Sequence, residues 1–379
     1  MNLSQFSTLQ KLEIAKCPKL ISLPPLPWTS STCHVLIKEA GSHFRLLDYQ
    51  RNNQSKQGLQ IEGKDGPLDS TSWKLLAFSN LTEPRELKMK KCPPLPLEHL
   101  KLLSALRRLS ITDSGIALLS ADGDNTITYH FPVEQLKIYE CSASGKEMTQ
   151  LLSYFPKLMN MRIENCQKII ETWCGRARDD DLAIDCVRGM ETLAQNLSSL
   201  TRLSIWDFED LRGKSMCSLL AQGHLRVLAV HKTPKFSVGS KPSGLQQLYT
   251  DDITGVLVEP TCSFLSSSLT RLSFNMDHKV ERFTKEQNMA LQLLSSLEVL
   301  IFVDCPKLRS LPAGLHRLTS LNRLEIASCP NIRSLPTDGF PSSLEVLHVY
   351  ESKSEELKRQ CRKLKGTIPI VQDEDYLEL

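Results

Sequence analysis

Short apolar stretches recur along the chain in the pattern L-x-x-L-x-I/L-x-x-C, and proline often follows the cysteine. The copy that begins at Leu9 continues through Leu12 and Ile14 to Cys17, and the copies that begin at positions 297 and 321 match it closely. Positions four and six are apolar and polar residues flank them, which is the period-two signature of a strand with one buried face. The pattern therefore predicts a stack of short units, each of which contributes one strand to a continuous sheet.

About fourteen copies can be aligned, and most begin 20–29 residues apart, the period of leucine-rich repeats. Their first residues are Leu9, Thr32, Lys56, Pro84, Leu106, Val133, Leu158, Leu200, Leu225, Leu245, Leu269, Leu297, Leu321 and Leu344. The copies at Thr32 and Lys56 are the weakest. The longest interval, from Leu158 to Leu200, predicts one unit enlarged at about 167–199, with a helix at 187–197.

The predicted fold is an α/β solenoid, a leucine-rich repeat horseshoe of about 14 repeats. A parallel sheet forms its concave side, and irregular or short helical returns form its convex side. Returns such as Leu308–Pro312 contain proline, which disfavours a second regular sheet. The solenoid is expected to span residues 1–350, and a capping helix and tail to span 351–379.

Position nine turns the chain after each strand, and its side chain is expected to point inward and bond the neighbouring turn. Cysteine fills this position six times, at Cys17, Cys92, Cys141, Cys166, Cys305 and Cys329. None of the 12 cysteines forms a C-x-x-C motif, which favours reduced, buried thiols in the cytoplasm or nucleus. No secretory signal or long apolar span is visible, and a net charge of +3 does not by itself indicate nucleic acid.

The segment from Leu297 to Pro312, with its Cys-Pro-x-Leu turn, resembles the cytoplasmic leucine-rich repeats of plant nucleotide-binding immune receptors. The irregular repeats and the closing segment around Glu356–Cys361 look like the coiled-coil class of grasses. The resemblance implies a non-enzymatic recognition domain that senses pathogen effectors or modified host proteins. In an intact receptor, the repeats would also restrain the nucleotide-binding module. The start inside a repeat, without a capping helix, resembles the C-terminal half of such a receptor.

Motifs for other functions are incomplete. The triplet Gly213-Lys214-Ser215 has Phe208 where a phosphate-binding loop needs its first glycine. Neither Cys33-His34 nor the pair Cys174/Cys186 has zinc-ligand spacing. The sequence therefore predicts no enzyme, no cofactor, no metal and no nucleic-acid partner. A leucine-rich repeat substrate adaptor of the F-box type, or another interaction scaffold, is the alternative function, although no N-terminal helical box is visible.

Positions three, five and seven of each unit face solvent on the predicted concave side, and we term this surface the open face. Tryptophan, tyrosine and arginine are the usual anchors of protein interfaces. The candidate partner-binding residues on this face are Lys88, Lys90, Arg108, Lys137, Tyr139, Arg162, Arg202, Trp206, His231, Tyr249, Ile301, Val303, His348 and Tyr350.

Each part of this surface has a second interpretation. The basic group around Lys88 either meets the nucleotide-binding module, as the resemblance implies, or is an ordinary solvated face. Trp206 either contacts a partner or only covers its neighbours. The apolar stripe from Val299 to Val303 is either a partner site or a surface that the C-terminal tail covers.

Overall fold

The computed structural model describes residues 10–20, 33–39, 44–51, 57–64, 73, 83–116, 129–169, 197–207, 223–232, 244–352 and 354–372. The chain divides into two compact units, residues 1–200 and 201–379, and each is described by itself. The starts at Leu9, Thr32 and Lys56 lie outside the described residues, as do the triplet at 213–215 and the tail from 373. The predicted helix at 187–197 also lies outside them, apart from its last residue.

The described residues of the first unit form eight strands that pair in chain order. They are β1 (Lys11–Ala15), β2 (Cys33–Lys38), β3 (Phe44–Arg51), β4 (Gln57–Gly63), β5 (Glu86–Lys90), β6 (Arg108–Thr112), β7 (Gln135–Tyr139) and β8 (Asn160–Glu164). All of these pairings are parallel except those of β3, which runs antiparallel to both β2 and β4.

The second unit contains eight described strands, and all their mutual pairings are parallel. They are β9 (Arg202–Trp206), β10 (Val227–His231), β11 (Gln247–Thr250), β12 (Arg271–Asn275), β13 (Val299–Val303), β14 (Arg323–Ala327), β15 (Val346–Tyr350) and β16 (Ile370–Gln372). Register is conserved from strand to strand, so that residues at the same position of successive units lie side by side. The leucine-rich repeat architecture is thereby confirmed.

Helices occupy several of the returns between strands. The first unit has α1 (Leu97–Leu102) and α2 (Gly145–Ser153). The second has α3 (Ile253–Val256), α4 (Glu259–Leu265), α5 (Lys285–Gln292), α6 (Glu355–Leu364) and a 3₁₀ turn (Leu315–Arg317). Helix α5 begins with a capping box between Thr284 and Gln287. Among the described residues, no helix is long and apolar enough to cross a membrane.

The core consists of positions one, four and six of each unit. Leu297, Leu300 and Phe302 are completely buried, and the ring of Phe302 stacks on that of Phe274 with centroids 5.6 Å apart. Burial of each such side chain contributes about 1.5–3 kcal/mol, so the stack of strands is stabilised mainly by contacts between neighbouring units.

Position eight of nearly every unit has a left-handed backbone. The residues with positive φ at the ends of strands are Lys16, Glu39, Lys91, Asp113, Glu140, Asn165, Asp207, Lys232, Met276, Asp304, Ser328 and Glu351. This conformation aims the N–H at the next unit: Met276 donates to the carbonyl of Val303 at 2.9 Å, and Asp304 donates to that of Ala327 at 3.1 Å. The strain of a non-glycine residue is thus accepted in exchange for one inter-strand hydrogen bond per turn.

Position nine supplies a second link between turns, as the sequence predicted. The backbone N–H of Cys92 donates to Oγ of Ser114 at 2.9 Å, and that of Cys141 donates to Sγ of Cys166 at 3.3 Å. Asp277 takes the same role in the second unit. Its carboxylate accepts from the N–H of Ile253 in the preceding turn, and from two N–H groups of its own turn.

Two strands depart from the predicted all-parallel sheet of fourteen. Strand β16 follows helix α6, which lies where a capping helix was predicted, and pairs with β15. Strand β3 has no repeat of its own and was not predicted, because it returns the chain antiparallel where an ordinary return was expected. Its Leu47 and Tyr49 are buried, and Phe44 packs against Trp73, with ring centroids 5.7 Å apart.

Met276 tests the left-handed turn. Because φ at Met276 is 64°, glycine there should raise the free energy of unfolding by about 0.5 kcal/mol, and valine should lower it by about 1–2 kcal/mol. Unfolding by urea, followed by circular dichroism, measures both values. At Asn275, an extended strand position, valine should instead be at least as stable as glycine. If the glycine variant were more stable than the valine variant at both positions, the left-handed backbone would not explain the effect at Met276.

Asp277 tests the link at position nine. Its side chain is only 1% exposed and accepts three backbone N–H groups, so Asp277→Ala should destabilise the chain by about 3 kcal/mol or more. The exposed Asp338, changed in the same way, provides the control and should cost well under 1 kcal/mol. Equal losses in urea unfolding would show that the carboxylate does not stabilise the turn.

Candidate partner-binding face

The open face of each unit is formed as predicted, by side chains that alternate with the core residues of every strand. On β12, for example, Leu272 and Phe274 are buried in the core, while Arg271 and Asn275 are half-buried on the opposite face. All fourteen candidate residues lie at positions three, five or seven, so the sequence placed each of them on the correct face. Tyr139 and Arg162 belong to the first unit, and Arg202, Trp206 and Tyr249 belong to the second.

The basic group of the first unit is largely neutralised by acidic neighbours. Lys88 and Arg108 both lie near the carboxylate of Glu86, at 3.5 and 3.4 Å. Lys90 lies 3.6 Å from Glu62 on β4, which also pairs with an arginine of β3. These pairs are exposed and contribute little to stability. They remove the excess positive charge that residues 88–91 suggest when read alone and leave a surface of mixed charge.

Further along the first unit, an arginine joins an acid and an aromatic ring. Arg162 donates to Glu164 at 2.9 Å, and its guanidinium carbon lies 5.6 Å from the ring centroid of Tyr139 on the neighbouring strand. Lys137 is exposed beside them and, among the described residues, makes no ion pair. This corner therefore offers one cation and one aromatic edge.

At the start of the second unit, aromatic rings line three successive strands, β9, β10 and β11. The rings of Trp206 and His231 stack with centroids 4.0 Å apart, and the hydroxyl of Tyr249 donates to Gln247 at 3.0 Å. Trp206 and Tyr249 remain half-buried, whereas Arg202 is exposed. Trp206 thus covers His231 and at the same time keeps part of its own surface open.

Three candidates are buried, which corrects the expectation that they are offered to solvent. His231 is 3% exposed, Ile301 is 7% and His348 is 9%. His231 lies beneath the Trp206 ring, and Ile301 lies at the centre of β13 between the side chains of adjacent strands. Sequence position gives the face of a side chain but not how far its neighbours lean over it.

His348 belongs to a small polar network. Arg323 pairs with Glu325 at 3.0 Å, and the same Nη2 lies 3.3 Å from Nδ1 of His348. Burial, together with the positive charge of Arg323, lowers the pKa of His348 below its ordinary value. A neutral ring that accepts from Arg323 at Nδ1 carries its proton on Nε2. Tyr350 lies beside it, with ring centroids 5.2 Å apart.

Asp251 shows how a side chain can replace the backbone link of the left-handed turn. The N–H of Lys232 donates to Oδ2 of Asp251 at 2.7 Å, where other turns use a carbonyl of the next strand. Burial raises the pKa of Asp251, although this hydrogen bond opposes the shift. The group is therefore part of the framework rather than of a reactive site.

Sequence reasoning missed two features. Arg271 is the first residue of β12 and occupies position three of the unit that begins at Leu269. The rule that selected Arg202 would therefore have found it. A cavity of about 480 Å³ lies between residues 335–344 and helix α6 and is lined mainly by apolar side chains such as Leu335, Phe340 and Leu364. It depends on how the last return meets the helix, which no local motif encodes. Among the described residues, no cluster of three or more histidine, cysteine or acidic side chains suits a metal ion.

Five of the six cysteines of position nine are buried in the framework, whereas Cys17 is exposed, contrary to the expectation of a buried thiol. Sγ of Cys92 donates to carbonyls of its own and the preceding unit, and burial raises the pKa of this thiol to about 12. Cys262, on helix α4, also has a pKa raised to about 12 by burial. A hydrogen bond between the thiols of Cys305 and Cys329, together with burial, raises the pKa of Cys305. Such thiols are poor nucleophiles at neutral pH.

Alkylation rates measure the difference in reactivity between these buried thiols and an exposed one. At pH 8 a thiol with a pKa of about 12 is thiolate in roughly one molecule in ten thousand, so iodoacetamide should leave Cys92 and Cys262 unmodified in the native chain. The exposed Cys17 should react rapidly. Peptide mass spectrometry before and after unfolding in urea provides the comparison, with all sites modified after unfolding. Equal native rates at Cys92 and Cys17 would contradict the burial of Cys92.

Comparisons with known proteins add little. No protein-family model matches the chain, and no curated protein matches it in sequence. Among solved structures, it is similar to an internalin (inlF) from Listeria monocytogenes str. 4b F2365, at 15% identity and a TM-score of 0.40, over 85% of this chain and 87% of that chain. The leucine-rich repeat assignment depends on the repeat and strand register described above.

Proposed function

We propose that the chain is the recognition region of an intracellular plant immune receptor of the nucleotide-binding, leucine-rich repeat type. Leucine-rich repeat solenoids are protein-interaction scaffolds, and the open face of each unit supplies the surface. The finer assignment is supported by the Cys-Pro-x-Leu turn at Cys305 and the Cys-Pro-x-Ile turn at Cys329, which resemble those of such receptors. The proposed ligands are pathogen effectors or modified host proteins, in the cytoplasm or nucleus.

The observation that carries the proposal is the arrangement of anchor residues on two nearby strands of the second unit, β9 and β11. Arg202 and Trp206 stand at the two ends of β9, and Tyr249 lies at the centre of β11, with β10 between them. Aromatic and arginine side chains of this kind dominate binding energy at protein interfaces. Within a receptor, the mixed-charge face of the first unit is the proposed contact for the nucleotide-binding module.

Direct binding to candidate effectors tests the role of this surface. Tyr249→Ala and Arg202→Ala should each weaken the affinity for an effector by at least about fivefold, because anchor residues typically contribute more than 1 kcal/mol. Biolayer interferometry with immobilised chain gives the dissociation constants. Met289→Ala, at a residue 63% exposed on helix α5, is the matched control and should leave affinity unchanged. Loss of affinity only in the control would place the interface on the helical side.

The coding sequence upstream of Met1 tests the receptor assignment separately. A nucleotide-binding module in frame is expected. An F-box in that position would instead favour the substrate-adaptor alternative, with the same open face serving to hold a substrate.

A further inference from the structure

Most of the charged side chains on the open face of the second unit already have partners. Arg323 pairs with Glu325, and the carboxylate of Asp251 accepts from a backbone N–H. Arg271 is different. It is half-buried at the start of β12, at position three of its unit. No carboxylate of the described residues lies within ion-pair distance of its guanidinium.

Arg271 stands next to a strip of aliphatic side chains. Val299, Ile301 and Val303 follow one another along the open face of β13, and we term them the β13 strip. The register places Val299 directly between Arg271 and Arg323, on strands about 4.8 Å apart. Ile301 is 7% exposed and forms the floor, while Val299 and Val303 are half-exposed at its two ends.

The two sides of the strip differ in charge. On the β14 side, Arg323 is neutralised by Glu325, whose side chain is 19% exposed, so a second carboxylate there would meet a negative neighbour. On the β12 side, Ser273 donates to Asn275 at 2.8 Å, and Arg271 is the charged group. A negative group on a ligand is therefore favoured only on the β12 side.

We propose that the β13 strip and Arg271 bind an extended segment of a partner protein that combines aliphatic side chains with a carboxylate. The aliphatic group covers Val299 and Val303, and the carboxylate pairs with the guanidinium of Arg271 in the two-pronged geometry that arginine offers. This inference rests on the proposed role of the open face in protein recognition and adds the chemistry of the partner. It is carried by charge complementarity, since a half-buried arginine gains most from a carboxylate that arrives with apolar cover.

The test uses peptides as defined probes. An N-acetylated, C-amidated peptide of about eight alternating glutamate and leucine residues spans several strands of the face. Its matched partner has glutamine in place of every glutamate. Fluorescence anisotropy with the full chain should show at least tenfold tighter binding of the glutamate peptide, and the preference should diminish as salt rises.

Two arginine variants locate the effect. In Arg271→Gln the preference for glutamate should fall to less than about twofold. Arg282→Gln, at an exposed arginine that follows β12, should keep the full preference. Val303→Asp should weaken the glutamate peptide at least tenfold by placing a like charge on the strip. Thermal melts establish that each variant is folded.

Three results would overturn the proposal. The first is equal binding of the two peptides, or a preference that survives Arg271→Gln. The second is the absence of any peptide binding. The third is binding only by a chain that stops at Gln372, since residues 373–379 would then be the occupant of the strip. If effector binding depends on Tyr249 but the chain shows no preference for the glutamate peptide, the proposed function stands. Only the proposed chemistry of the partner is then excluded.

Discussion

Most of the described strands end in a turn whose backbone N–H groups must find acceptors in the next unit, and the rest of the structure depends on that requirement. A buried N–H without a partner costs about 1–3 kcal/mol, comparable to a substantial part of a domain's stability. Position eight meets the requirement with a left-handed backbone, as in the link from Asp304 to Ala327. Position nine meets it with a side chain that is cysteine, serine or aspartate, according to the unit.

This constraint fixes which side chains form the open face. Because each turn locks to its neighbour, successive strands cannot slip by one residue, and the same three positions of every unit remain on the open face. Side chains there do not pack in the core, so they can differ from unit to unit. Within the second unit they pass from an aromatic group around Trp206 and Tyr249 to the aliphatic β13 strip.

The repeat pattern predicted the fold well because its information is local. The spacing of apolar residues at positions four and six, such as Leu300 and Phe302, is sufficient to predict a strand. The open face followed from the same alternation, and all candidate residues lie on it. What the sequence did not reveal depends on contacts between units. The burial of Ile301 and the neutralisation of Lys90 by Glu62 arise from side chains on neighbouring strands. The reversed strand β3 has alternating residues but no copy of the motif, so nothing local distinguished its direction.

Trp73 gives the antiparallel strand a wider consequence. Its ring packs against Phe44 of β3, and its indole N–H donates to the carbonyl of Pro94, beyond β5, at 2.9 Å. In an ordinary solenoid each unit contacts only the units beside it, and unfolding can begin at an end and spread one unit at a time. A completely buried residue that contacts both flanking units ties three successive units together. This part of the chain is accordingly expected to melt as one cooperative block instead of fraying unit by unit.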